Sequence, residues 1–233
     1  MADIREKLAR LNPTTIKFDV GNGGGTPDLT NIDIAGALAF VAPGIGREVL
    51  EACWWPDGAA LRSHKLRDAV IALVEPEVRR QQKLLAEARI EVGLAQACMG
   101  WAGAVTTEQR QELERARGRL ESLIASCWPR STMESLPTLA GAVLAEIANA
   151  NHCESCAGRA EVVLGTVVKV CEQCSGRGIV PVSDRKRAAA ISRDEAVFRR
   201  NWREVYIWVL DRMREAEQNA ASELAQALRR EVA

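Results

Sequence analysis

Cys153-Glu-Ser-Cys156 and Cys171-Glu-Gln-Cys174 are two C-x2-C pairs with 14 residues between them. At this spacing four thiolates can close a tetrahedron around one zinc ion. Because four thiolates fill the coordination shell, no position remains for a reactive water, and the metal is expected to stabilise structure. The sequence therefore predicts a non-enzymatic chain with one structural Zn²⁺. The predicted metal ligands are Cys153, Cys156, Cys171 and Cys174.

The segment between the two cysteine pairs predicts a short β-hairpin. Two valine-rich runs, 161–164 and 166–170, flank Gly165, and β-branched residues on either side of a glycine favour paired strands. Glycines directly after the cysteine pairs allow tight turns that direct backbone N–H groups at the sulfurs. Together these features predict a zinc ribbon at residues 153–178.

A disulfide framework is the weaker alternative for the same cysteines, because disulfides are typical of secreted proteins. Residues 1–7 contain no apolar signal core. The longest apolar run, 34–46, contains Pro43 and is shorter than the roughly 20 residues that span a bilayer. We therefore expect a cytoplasmic protein with no membrane partner and with reduced cysteines.

Composition limits the fold and the partners. Lys+Arg and Asp+Glu each number 31, so the net charge is zero, and any affinity for nucleic acid has to come from a local patch. Alanine, leucine, arginine and glutamate are abundant, which favours helices. The expected fold class is mainly α, a helical protein with an inserted zinc-ribbon β-hairpin and a helix-turn-helix-like C-terminal part.

Breaks in the helical pattern divide the chain into three segments. A glycine run at 21–25 lacks the lysine of a phosphate-binding loop and is interpreted as a linker. Thr106 and Gln109 form a capping box that opens a charged helix. The predicted segments are a flexible N-terminal segment (1–31), a helical region with a helical hairpin (32–135), and a DNA-binding region (136–233) that contains the ribbon (153–178) and a helix-turn-helix-like segment (183–228).

The segment after the ribbon predicts a helix pair. Ser183 can cap a short helix at 185–191, and Ser192 with Glu195 forms a second capping box that opens a long helix. A short helix, a tight turn and a second helix are the outline of a helix-turn-helix. At 3.6 residues per turn one side of the second helix should be buried. That stripe consists of Phe198, Trp202, Val205, Val209 and Met213.

Basic residues concentrate on the same helix pair. Residues 177–203 contain eight basic side chains and three acidic ones within a neutral protein. Such a local excess indicates double-stranded DNA as a partner, although a solvated helix face is the alternative, and no small-molecule substrate is expected. The candidate DNA-binding residues are Arg185, Lys186, Arg187, Arg193, Arg199, Arg200 and Arg203.

These parts, in this order, resemble the late-gene antitermination Q proteins of lambda-like bacteriophages. The resemblance covers Ala145-Glu-Ile-Ala-Asn-Ala-Asn-His-Cys153, Cys171-Glu-Gln-Cys174-Ser-Gly-Arg-Gly178 and Asn201-Trp-Arg-Glu-Val-Tyr206. It implies a factor that binds DNA at a phage late promoter and engages bacterial RNA polymerase holoenzyme, including its sigma factor. It also implies suppression of pausing and termination, and a place with the nucleoid in the host cytoplasm.

Two other functions fit parts of this pattern. One is a zinc-ribbon, helix-turn-helix regulator that acts only at initiation. The other is a DnaJ-type chaperone or thiol enzyme, which would carry four C-x2-C-x-G-x-G repeats and a His-Pro-Asp tripeptide. This chain has two cysteine pairs and no such tripeptide, so the chaperone is the least expected.

Overall fold

A computed structural model gives the fold of the 233-residue chain. The residues that it describes are 4–9, 11, 31–61, 63–99, 103–149, 153–156, 159–164, 167–176, 178 and 180–231. The glycine run at 21–25 and most of the predicted flexible segment 1–31 lie outside them.

The described chain is mainly helical, as its composition predicts, with one small two-stranded sheet. The first helices are α1 (Ile4–Ala9), α2 (Asn31–Leu38), α3 (Ile45–Trp54), α4 (Pro56–Ala60), α5 (Ser63–Cys98), α6 (Thr107–Ser126) and α7 (Thr132–Ala148). The strands β1 (Glu161–Leu164) and β2 (Val167–Val170) follow, and then α8 (Asp184–Ala190), α9 (Glu195–Val197), a π-helical turn (Phe198–Trp202) and α10 (Arg203–Glu231).

The Cα positions form two compact units, Met1–Val70 with Leu136–Ala233, and Ile71–Ser135. The division into a flexible segment (1–31), a helical region (32–135) and a DNA-binding region (136–233) stays a prediction. None of the described helices contains a stretch long and apolar enough to cross a membrane.

The larger unit has an apolar core in which α1, α2 and α3 meet the second half of α10. Leu8 of α1 is fully buried there, so this part of the N-terminal segment is packed. Gly46 permits the close approach of α3 to α10, because a Cβ at this position would lie 2.4 Å from the carbonyl oxygen of Ala216. The core residues are Leu8, Ile34, Ala37, Leu38, Val41, Leu50, Ala220, Ala221, Leu224, Ala227 and Leu228.

The smaller unit contains most of α5 and all of α6. The predicted capping box of α6 is confirmed: the Gln109 N–H donates to Thr106 Oγ1 at 3.2 Å, and the Thr106 N–H donates to Gln109 Oε1 at 3.0 Å. Polar links join the two helices, including an ion pair between Arg119 and Glu91 at 2.9 Å. α6 buries Leu113 and leaves most of its charged residues exposed, as expected for a solvated helix face.

The turn between α8 and α9 spans four residues, 191–194. Ser192 has φ +55°, its N–H donates to the Ala189 carbonyl at 3.0 Å, and the Arg193 N–H donates to the Ala188 carbonyl at 2.9 Å. These are the two hydrogen bonds of a Schellman motif, which ends α8. The predicted cap of the second helix is therefore wrong by two residues. Asp194 caps α9 by accepting from the Ala196 N–H at 2.8 Å.

The α9 segment, the π-helical turn and α10 follow one another without a break from residue 195 to 231. Ser183 caps α8 as predicted, accepting from the Lys186 N–H at 3.3 Å. The predicted apolar stripe of the long helix is confirmed, since each of its members is buried. They are Phe198, Trp202, Val205, Val209 and Met213.

Candidate metal centre and nucleic-acid interface

The four predicted ligand cysteines meet in one buried cluster. All four Sγ atoms lie within 4.8 Å of one another, and the Cys153–Cys171 and Cys156–Cys174 separations are both 3.7 Å. Sulfurs at about 2.3 Å from a tetrahedral ion would be about 3.8 Å apart, so the cluster has the dimensions of a four-thiolate metal site. A disulfide needs about 2 Å between sulfurs, so none of these pairs is one. The four buried cysteines can therefore hold a metal ion.

The hairpin between the cysteine pairs fixes the sulfurs in place. β1 and β2 are antiparallel, with Glu161 opposite Val170 and Leu164 opposite Val167, which confirms the predicted hairpin. The Cys153 N–H donates to the Gly178 carbonyl at 2.8 Å, and the Cys171 N–H donates to the Ala160 carbonyl at 2.9 Å. The first cysteine of each pair is thus tied to the residue that ends the other pair's turn.

A side-chain bridge links the middle of the two cysteine pairs. The Ser155 hydroxyl donates to Gln173 Oε1, and the same oxygen accepts from Cys153 Sγ at 3.7 Å. Apolar support is thin, since Val162 and Val180 are the partly buried hydrophobic residues that pack on the cluster among the residues described. Packing alone therefore gives this cluster little stability.

Backbone geometry also prepares one sulfur to carry negative charge. Gly178 has φ +72°, and its N–H donates to Cys174 Sγ at 3.2 Å, as predicted for a glycine after the cysteine pair. Burial opposes ionisation of Cys174, but this N–H and the neighbouring thiols outweigh it and lower the pKa to about 7. Burial raises the pKa of the Cys153 thiol to about 11. A cation would meet at least one readily ionised sulfur, which is the form that binds metal.

Six of the seven predicted DNA-binding side chains are exposed. They occupy α8, the following turn and the start of the long helix, within one stretch of nineteen residues, 185–203. The six are Arg185, Lys186, Arg193, Arg199, Arg200 and Arg203. Arg177, which belongs to the same basic run, and His152, beside the first ligand, lie outside the described residues.

Arg187 is the exception, because it is only 8 % exposed. Its guanidinium donates two hydrogen bonds to Glu146, from Nε at 2.9 Å and from Nη2 at 2.7 Å. The same guanidinium lies 5.4 Å from the centre of the Tyr206 ring. Arg187 is thus engaged inside the protein and does not join the exposed basic surface, which corrects its predicted role.

Glu146 is the residue that sequence reasoning did not single out. It accepts the Tyr206 hydroxyl at 3.0 Å and contacts Arg214 Nη2 at 3.4 Å, in addition to Arg187. The hydrogen bond from Arg187 to Glu146 raises the pKa of Arg187, and burial raises the pKa of Tyr206. In the sequence, Glu146 is marked only by being the single acidic residue within the apolar run 136–151. The buried carboxylate joins α7, which precedes the ribbon, to α8 and α10, which follow it.

Acidic groups hold two of the exposed arginines in position. Asp184 Oδ2 lies 3.7 Å from Arg199 Nε and 3.4 Å from Arg203 Nε, and Glu195 also pairs with Arg199. Arg193 stacks on the ring of buried Trp202, with 5.2 Å from its guanidinium carbon to the ring centre. Three of the six exposed basic residues, Arg193, Arg199 and Arg203, are therefore held in place by contacts with residues of α8 and of the long helix.

Comparison with known proteins identifies no family for this chain. No protein-family model, no curated protein and no solved structure matches it. The candidate sites consequently depend on the chain's own geometry and chemistry.

Proposed function

We propose that this chain is a zinc-stabilised DNA-binding protein that acts as a late-gene transcription antitermination factor. The single observation that carries DNA binding is the group of six exposed basic side chains on one helix–turn–helix segment. In a protein with zero net charge, such a surface is the expected footprint of a phosphate backbone.

Zinc is the metal that best fits the four thiolates. Tetrahedral all-sulfur sites take zinc or iron, and zinc is the usual occupant where the role is structural. The ion would fold residues 153–178 as a zinc ribbon and would present no open coordination position. It would affect function only by stabilising the ribbon, which directly precedes the helix pair in the sequence.

Helix α8, its Schellman turn and the long helix would form the helix-turn-helix unit. The long helix would enter the major groove with its N-terminal part, and arginines on both helices would contact phosphates. Antitermination rests on the resemblance of 145–153, 171–178 and 201–206 to the Q proteins. It would require contact with RNA polymerase and its sigma factor in addition to DNA.

A binding titration tests the DNA-binding part. Fluorescence anisotropy with a duplex of random sequence should show that the logarithm of the binding constant falls linearly with the logarithm of the salt concentration. Arg199→Ala combined with Arg203→Ala should reduce that slope by about two, because two phosphate contacts are lost. Arg212→Ala is the matched control, since Arg212 is exposed on the same helix beyond the basic surface. No binding at low salt by the wild-type chain would end the proposal.

A run-off transcription assay tests antitermination separately. The template carries a site selected by the protein next to a promoter, with a terminator downstream, and is transcribed by bacterial RNA polymerase. We expect longer transcripts past the terminator when the protein is added. A change in transcript number with no change in read-through would contradict antitermination and would fit a regulator of initiation.

A further inference from the structure

A π-helical turn interrupts the long helix at the exposed basic surface. It covers Phe198–Trp202, and the Arg203 N–H donates to the carbonyl of Phe198, five residues earlier. Such single π turns inside α-helices are rare and are frequent at functional sites. This one carries two of the six exposed basic residues, Arg199 and Arg200.

The π turn changes how the side chains are displayed. Because it has more residues per turn than an α-helix, successive side chains diverge by a smaller angle. Phe198 and Trp202 are 0 % and 3 % exposed, while the three residues between them, Arg199, Arg200 and Asn201, are all exposed. Three consecutive polar side chains therefore spread over about half of the helix circumference, slightly less than the same three residues would cover in an α-helix.

The contacts divide these residues into two kinds. Arg199 and Arg203 lie beside Asp184, as described above. Within the described part of the chain, Arg200 and Asn201 form neither an ion pair nor a side-chain hydrogen bond. Their donors and acceptors are thus available to a ligand, and they are neighbours on the π turn.

We infer that Arg200 and Asn201 read base edges in the major groove, whereas Arg199 and Arg203 contact phosphate. This inference rests on the proposed DNA-binding function. An arginine fork matches the O6 and N7 acceptors of guanine, and an asparagine amide matches the N6 donor and N7 acceptor of adenine. The bound site should therefore contain a guanine close to an adenine.

Their place on the helix agrees with this role. Arg200 and Asn201 are the sixth and seventh residues of the helix that begins at Glu195. Recognition helices use their N-terminal residues to reach bases. Asp184, at the start of α8, holds Arg199 and Arg203 toward α8, so Arg200 and Asn201 are the uncommitted polar side chains of the π turn.

The experiment begins with selection of preferred sites from a random duplex pool by the full-length wild-type chain. Arg200→Lys and Asn201→Ala are then compared with wild type for affinity on the selected site and on a scrambled duplex. Both variants keep the net charge, and circular dichroism verifies their helix content. We expect Asn201→Ala to lower the affinity ratio of selected to scrambled DNA by about 5- to 150-fold, and Arg200→Lys to lower it by a smaller factor, because a lysine can still donate to guanine. The salt dependence should not change, because no phosphate contact is lost.

Arg199→Ala is the matched control on the same π turn. It should weaken binding to both duplexes equally and reduce the salt slope by about one. An unchanged affinity ratio in both Arg200→Lys and Asn201→Ala would overturn the inference. A wild-type chain that binds DNA without any preferred sequence would also overturn it and would leave the proposed DNA binding intact. Failure to bind DNA at low salt would overturn both.

Discussion

The ribbon and the helix pair carry neighbouring parts of one basic sequence, but different forces stabilise them. The ribbon, 153–178, has four sulfurs at its centre, and two partly buried valines, Val162 and Val180, pack against them. The helix pair, 183–231, buries a continuous apolar stripe that includes Phe198, Trp202 and Val205. A segment as small as the ribbon cannot bury enough apolar surface to fold alone, and a metal ion held by the four cysteines would supply the missing stability. One part should therefore depend on the metal and the other should not.

Loss of the metal should give the largest effect. Structural zinc contributes about 10–16 kcal/mol in isolated zinc-finger peptides, so Cys171→Ser should abolish metal binding and unfold residues 153–178. The helix pair should remain folded, because its core contains none of the four sulfurs. Metal analysis by mass spectrometry, protease cleavage within the ribbon and circular dichroism measure the three outcomes.

Cys98→Ser is the control for this substitution, because Cys98 is exposed and lies outside the cluster. It should keep one metal ion per chain. A Cys171→Ser protein that retained one ion and its original protease resistance would contradict the metal-dependent ribbon. Complete loss of helical signal would contradict the independence of the helix pair.

A feature could be predicted from the sequence when the residues that produce it lie close together in the chain. Ligand spacing along the chain is local, so Cys153 to Cys174 and the intervening hairpin could be recognised without knowing the rest of the fold. The buried stripe follows from helical periodicity and could be predicted in the same way. The burial of Arg187 could not be predicted, because it depends on Glu146, which is 41 residues away in the sequence. The π turn was also hidden, since an α-helical pattern and a π turn place Phe198 and Trp202 on the same buried side.

Removal of Glu146 should give the next largest effect and should affect the helix pair. Glu146→Ala leaves Arg187 buried without its partner, and breaking a buried pair in this way costs about 3–5 kcal/mol. Urea unfolding followed by circular dichroism should show this loss as a lower midpoint. Metal content should not change, because Glu146 makes no contact with the cysteine cluster among the described residues.

Two further variants test whether this cost comes from the unpaired charge. Glu146→Leu combined with Arg187→Met removes both charges and should recover most of the lost stability. Glu112→Ala removes an exposed partner of Arg115 and should cost at most about 1 kcal/mol. If Glu146→Ala were no more destabilising than Glu112→Ala, the buried carboxylate would not be what joins α7 to the helix pair.

The smallest effect concerns the two turns of the ribbon. Ala160 and Gly178 follow their cysteine pairs at equivalent positions and have φ +66° and +72°. A left-handed conformation costs a residue with a Cβ about 1–2 kcal/mol. Replacing that residue by glycine removes this cost, but part of the gain in stability is lost because an unfolded glycine has greater conformational freedom. Ala160→Gly should thus stabilise the ribbon by about 1 kcal/mol, and Gly178→Ala should destabilise it by at least as much. Competition with a zinc chelator should show about fivefold tighter and fivefold weaker retention, respectively. The urea midpoint of the helix pair should be the same in all three proteins. If both variants retained zinc as tightly as the wild type does, backbone strain at these turns would not limit the stability of the ribbon.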